Sequence, residues 1–139
     1  MSQLRKPSQV VLDTNMLLLM AEGFPLLEMI EEQTAFKPEC VVLTHSLREL
    51  EAIGEREGGL MRKKCELAVK IAREKCRIVE FRGDLKNADD AIIEYAVLNN
   101  AAVASNDREL RRRAREKGLS EIYLREESHR IVVEGLLEY

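Results

Sequence analysis

Short apolar runs alternate along this chain with segments whose apolar residues recur every three or four positions. Val10-Val11-Leu12 ends abruptly at Asp13, which predicts a buried parallel strand over 9–12. Cys40 to Thr44, Arg77 to Phe81, Ala101 to Ser105 and Ile122 to Leu124 read as four more strands. Between them, helical spacing predicts Met16 to Glu22, Pro25 to Gln33, Ser46 to Ile53, Leu60 to Lys75, Ala88 to Leu98 and Asp107 to Lys117. Gly23, Gly54 and Gly118 are read as helix stops, and Gly58-Gly59 and Gly83 to Lys86 as loops. Leu60, Met61, Leu67, Ala68, Ile71 and Ala72 form one apolar stripe, and Ile92, Ile93, Ala96 and Val97 another. Arg130 to Leu137 fits either a strand or a closing helix. Strands alternating with helices predict an α/β domain whose parallel sheet is covered on both faces. With 139 residues and no linker, repeat or low-complexity tract, one domain is expected to account for residues 1–139.

No stretch approaches the ~18 apolar residues of a membrane span, the longest candidate being Met16 to Ala21. The N-terminus, with Arg5, Lys6 and Pro7, has no secretory pattern, so a cytoplasmic location is expected. Cys40, Cys65 and Cys76 show no C-x-x-C spacing and no nearby histidine pair, which argues against zinc. On one helix, Cys65 and Cys76 would lie roughly 16 Å apart, too far for a disulfide. All three are therefore read as small apolar fillers.

The net charge of −3 hides a pattern. Thirteen of the 22 basic residues fall in two segments, 62–77 and 108–117. Lys63 and Lys64 stand in the first; Arg108, Arg111, Arg112 and Arg113 stand in the second. Such stripes suit a phosphate backbone, although a solvated helix face has the same composition. Three Phe, three Tyr and no Trp leave little for a reader that stacks bases on aromatic platforms.

In open parallel sheets ligands bind beyond the carboxyl ends of the strands. Asp13 follows the first strand, Glu49 lies in the first turn after the second, and Asp107 follows the fourth. Asp90 joins them if its helix starts at the same edge. Each of the last three also fits a helix cap: Ser46 to Glu49 reads as a capping box, Asn87 can cap a helix bearing Asp89 and Asp90, and Asp107 suits a first turn. Asp13 is costly at the end of a buried strand unless something pairs with it. Metal binding explains why all four face one edge, and capping does not. Clustered carboxylates suit Mg²⁺ or Mn²⁺ and phosphodiester hydrolysis, and without metal at least one should have a raised pKa.

Val10-Val11-Leu12-Asp13-Thr14-Asn15 resembles the opening motif of PIN-domain nucleases. Leu47-Arg48-Glu49-Leu50, Ala88-Asp89-Asp90-Ala91-Ile92 and Ser105-Asn106-Asp107-Arg108-Glu109-Leu110 resemble their three later acidic motifs, in order. The resemblance implies a three-layer α/β/α fold of strand order 3-2-1-4-5 and metal-dependent RNA endonuclease activity. It makes Asp13, Glu49, Asp90 and Asp107 the catalytic metal ligands, with Asp89 a fifth ligand or an outer group. Asn15 and Ser105 would orient the acids or a bound water. It also implies frequent homodimers. The wording around Ala88-Asp89-Asp90 and Asp107 to Arg113 is most similar to PIN nucleases of small-subunit ribosomal RNA processing, with ribosome-assembly factors as partners. A toxin-type PIN nuclease, partnered by an antitoxin, is the next candidate. RNA is the expected substrate, held in part by Arg111, Arg112 and Arg113.

Two other classes compete. Haloacid-dehalogenase-type phosphatases need a second aspartate where Asn15 stands, and a receiver domain needs an aspartate where Phe81-Arg82 stand. A PIN-like scaffold that binds RNA or protein without cutting would not need all four acids. His45 is read as a cap or surface residue.

Overall fold

The structure, a computed structural model, describes residues 7–35 and 37–135. Strands β1 (Gln9–Leu12), β2 (Glu39–Leu43), β3 (Arg77–Val79), β4 (Ala102–Ala104) and β5 (Glu121–Arg125) are parallel. β6 (Arg130–Glu134) pairs antiparallel with β5, and the sheet order is β3-β2-β1-β4-β5-β6. The expected 3-2-1-4-5 order is therefore present with one added edge strand. The ambiguous segment 130–137 is a strand as far as Glu134, and its residues 136–137 lie outside the described residues.

Alternation along the strands divides the core. Val10, Leu12, Cys40, Val42, Ala102 and Ala104 face one side, where they meet Met16, Leu26, Leu50 and Ala68. These come from helices α1 (Thr14–Ala21), α2 (Leu26–Thr34), α3 (Thr44–Glu57) and α4 (Gly59–Lys75). Val11, Val41, Leu43 and Val103 face the other side, against Ile92, Ala96, Leu110 and Ala114 of α5 (Ala88–Asn99) and α6 (Arg108–Glu116). Period-two strands between two helix layers give the three-layer architecture. The connections through α1–α2 and α3–α4 lie on one face, and those through α5 and α6 on the other. The winding reverses between β1 and β4, and that reversal opens the crevice used for ligands in such sheets.

Three local expectations give way to packing. Gly54 does not stop α3, which runs on to Glu57; a Cβ at Gly54 would sit 3.4 Å from Cys65 Cβ and 3.5 Å from Arg62 Cα. The glycine serves the close approach of α3 to α4. The stop is Gly58, at φ 64°. On α4, Cys65, Ala68 and Ala72 are buried, while Leu60 and Leu67 of the expected stripe are exposed. On α5, Val97 likewise lies outside the core.

The cysteine reading needs correction. Cys40, at the start of β2, and Cys76, just after α4, form a disulfide with Cα atoms 4.7 Å apart. The sequence reading weighed only the pair on one helix. β2 and β3 are neighbours in the sheet, so residues 36 apart in sequence meet at its edge. Cys65 is the buried thiol that fills the core. Disulfides are rare in reducing compartments outside hyperthermophiles, so this bond lends no support to the expected cytoplasmic location. Closing a loop of this length is worth about 3–4 kcal/mol by the chain-entropy estimate. Reduction, or Cys40→Ser with Cys76→Ser, should lower the thermal midpoint by about 10 °C. A melting curve unchanged by reductant would show that the bond does not form.

Among the described residues no helix is long and apolar enough to cross a membrane.

Candidate metal centre at the carboxyl edge

The sheet register builds the site. Leu12 is opposite Ala104, so the residues that follow, Asp13 and Ser105, emerge side by side. The Asp13 amide donates to the Ala104 carbonyl (3.2 Å), and Ser105 Oγ donates to Asp13 Oδ2 (2.5 Å). Asp13 Oδ1 accepts from the Met16 amide (2.9 Å), so the same carboxylate caps α1. Asp13 is only 5% exposed. Burial is the largest cause lifting its pKa from 3.8 to about 6. The bonds from Ser105 and Met16 oppose that rise, and the negative charges of Asp89 and Asp107 add to it.

Asp89 sits at the start of α5, which begins at this same edge because the chain leaves β3 there. Its pKa is also raised, first by desolvation, then by Asp107 and Glu49, with Arg113 pulling the other way. These mutual repulsions place Asp13, Glu49, Asp89 and Asp107 in one field. Asp90 also raises Asp89, and its Oδ1 accepts from Arg113 Nη2 at 2.8 Å, tying α5 to α6.

Glu49 is not part of a capping box. The chain passes from β2 into α3 without a loop, so α3 starts at Thr44 and Glu49 lies in its second turn. Ser46 is fully buried, with no hydrogen-bond partner for Oγ among the described residues. Glu49 Oε1 instead accepts from Thr14 Oγ1 at 2.5 Å. Asp107 does cap α6, with Oδ1 accepting from the Glu109 and Leu110 amides (2.8 and 3.0 Å), while its own amide donates to Ser105 Oγ (2.9 Å). Ser105 thus links the Asp13 carboxylate to the Asp107 backbone. Asn15 is exposed on α1 and holds none of these acids.

Among the described residues no three Asp, Glu, His or Cys side chains stand close enough together to hold a metal ion as they are. The donor set itself is all oxygen, which is the chemistry hard divalent cations take.

The basic stripe on α6 is largely committed within the protein. Arg111 lies 3.5 Å from buried Glu121 and stacks over the Tyr123 ring at 3.9 Å. Arg112 is gripped by Glu109 and Glu116, and Arg113 by Asp90. Arg115 pairs with Glu121 at 3.0 Å. On α4, Lys64 is held by Glu22 (2.5 Å). Arg108 and Lys63 are exposed and have no ion pair among the described residues.

With this edge in view, the sequence matches the family described as PIN like domain over residues 10–127, most of the chain. The chain belongs to that family. This PIN-like domain is also similar in fold to a solved structure titled "Structure of the PIN domain endonuclease Utp24". The two share 24% identity at a TM-score of 0.74, with 95% of each chain covered. No curated protein matches in sequence.

Sequence reasoning missed Thr14, whose hydroxyl donates to Glu49, and it named Arg113 for RNA without seeing that this side chain holds Asp90 and offsets Asp89. Thr14 stood inside the motif that includes Asp13, but only the crossing of α1 and α3 shows its partner. His45, read as a cap or surface residue, is buried, with Nε2 2.7 Å from the Leu85 carbonyl oxygen.

Proposed function

We propose that this PIN-like domain is a metal-dependent RNA endonuclease, with ribosomal RNA processing as its setting. The observation that carries the reading is Asp13. A carboxylate buried at the sheet's reversal point, paired with Ser105, is lifted to about 6, first by burial and to a smaller degree by the charges of Asp89 and Asp107. Structural ion pairs depress carboxylate pKa values, whereas burial beside other carboxylates raises them, and such shifts cluster at functional sites. We assign Asp13, Glu49, Asp89 and Asp107 as the residues that would hold Mg²⁺ or Mn²⁺, with Asp90 as a brace between α5 and α6. Their mutual repulsion keeps the oxygens apart until a cation compensates it. When bound, such an ion polarises a phosphoryl oxygen and acidifies a water nucleophile. The chain's own part is positioning. Ser105 fixes Asp13 Oδ2, Thr14 fixes Glu49, and the α6 cap aligns Asp107 while leaving its Oδ2 outside the cap. The ribosomal setting rests on the wording of Ala88-Asp89-Asp90 and Asp107 to Arg113 and is the finer part of the proposal.

The direct test is incubation with labelled single-stranded RNA in Mn²⁺ or Mg²⁺. Internal cleavage that stops in EDTA is expected; RNA left intact in either metal contradicts the reading. Thr14→Val removes the hydroxyl behind Glu49 without a charge change. A loss of about 10–100-fold in cleavage is expected, as for other groups that orient metal ligands, with a melting midpoint within about 3 °C of the parent. A variant that cuts at full rate would remove Thr14 from the machinery.

A further inference from the structure

A cavity of about 420 Å³ opens beside Glu49 and Asp89, between the start of α3 and the loop that enters α5. Its size falls in the range that accepts a small ligand group such as one nucleotide. His45, Arg48, Lys86, Asn87 and Ala88 line it together with the two acids. Arg48 and Lys86 are exposed. Among the described residues Arg48 has no ion pair and one hydrogen bond, to Thr44 Oγ1 at 3.4 Å, and Lys86 has no ion pair. The committed arginines of α6 make a contrast: four of them already answer carboxylates.

Three further features mark this cavity as built. Among the described residues no side chain caps the N-terminus of the 14-residue α3, which leaves its positive end at the carboxyl edge. His45 is 5% exposed, and its Nδ1 has no hydrogen-bond partner among the described residues. Its Nε2 meets the Leu85 carbonyl, one residue before Lys86, at 2.7 Å. The loop is pinned at its other end, where Arg82 pairs with Asp84 and Glu94 and the Leu85 amide donates to the Arg82 carbonyl. Lys86 is therefore presented by a tethered loop.

We propose that this cavity is a subsite for a backbone phosphate of the RNA strand next to the bond that is cut, with Arg48 and Lys86 as its cations and His45 as the residue that positions Lys86. The inference rests on the nuclease reading above. It gives the strand a path across the α3 side of the carboxylates, away from the internally paired α6 arginines. The wall carries two positive and two negative side chains. The acids serve the metal, and the cations are left to the phosphate.

The test is anisotropy of a labelled single-stranded RNA titrated with the full chain in EDTA, over a range of salt. Arg48→Ala and Lys86→Ala should each weaken binding and flatten the salt dependence by about 0.7 log units per log unit of salt. Arg73→Ala, at the far end of α4 and the opposite edge of the sheet, should change neither quantity. His45→Gln should weaken binding in the wild-type background and add nothing to Lys86→Ala, because it acts through Lys86. Equal losses in all three alanine variants, or wild-type slopes in Arg48→Ala and Lys86→Ala, overturn the subsite. Cleavage in Mn²⁺ separates the two failures. If the wild type cuts RNA while Arg48→Ala and Lys86→Ala bind normally, only the subsite falls; if the wild type neither binds nor cuts, both fall.

Discussion

Asp13→Asn should reduce RNA cleavage by on the order of 10³-fold or more while making the protein more stable at neutral pH. The two effects share a cause. The buried carboxylate titrates at about 6, against an ordinary 3.8, so the folded state prefers it protonated. Its contribution to stability is complete below pH 4 and is lost as pH rises through 6. At pH 7 the ionised form costs about 3 kcal/mol relative to the neutral one. Asparagine has nearly the same shape and no charge, and its amide can still meet Met16 and Ser105. The melting midpoint of the variant should exceed the parent's by several degrees at pH 7–8, and the gap should close by pH 4–5. Adding Mn²⁺ should raise the parent's midpoint more than the variant's, because a ligand stabilises only the form that binds it. Melting curves across pH, with and without Mn²⁺, check each sign. A variant that cuts like the parent, or is less stable at pH 7, contradicts the account of Asp13.

Glu121→Ala should be among the most damaging single changes away from the centre. Glu121 opens β5, is fully buried, and accepts from Arg115 at 3.1 and 3.0 Å with Arg111 3.5 Å away. Truncating it strands the largely buried Arg111 against Tyr123 without its anion. Removing one partner of a buried ion pair costs about 3–5 kcal/mol. That corresponds to a fall in midpoint on the order of 10 °C or more for a chain of this size. Glu121→Gln, which keeps an acceptor, should lose less. Cleavage should fall too, because Glu121 anchors the helix whose N-cap is Asp107. A chemical-denaturation loss below about 1 kcal/mol in Glu121→Ala would show that the arginines find other partners.

The strand-and-helix order was readable because β1, β2 and β4 are apolar runs with sharp polar ends, and α5 and α6 have clear caps at Asn87 and Asp107. The edge on which the acids fall follows from that order and the rule for parallel sheets. What stayed hidden depends on contacts between distant segments. Gly54 looked like a stop and is a packing site against α4. Cys40 and Cys76 are far apart in sequence and adjacent across β2 and β3. Asp89 and Asp90 are neighbours on one helix turn, and composition cannot tell which one faces the other acids. The partner that occupies Asp90, Arg113, stands on another helix. Arg111 and Arg113 looked free because their anions, Glu121 and Asp90, lie on β5 and α5; those of Arg112, Glu109 and Glu116, stand on α6 itself.

The central claim is that Asp13, Glu49, Asp89 and Asp107, from four separate segments, form one cation-binding centre. Diffraction from crystals soaked in Mn²⁺, recorded for its anomalous signal, tests this most directly. The account predicts a peak within about 2.0–2.3 Å of an Asp13 oxygen and of at least one oxygen of Asp89, Glu49 or Asp107. A crystal saturated in Mn²⁺ with no peak at Asp13, or with the metal on Asp90 instead of these four, would contradict it.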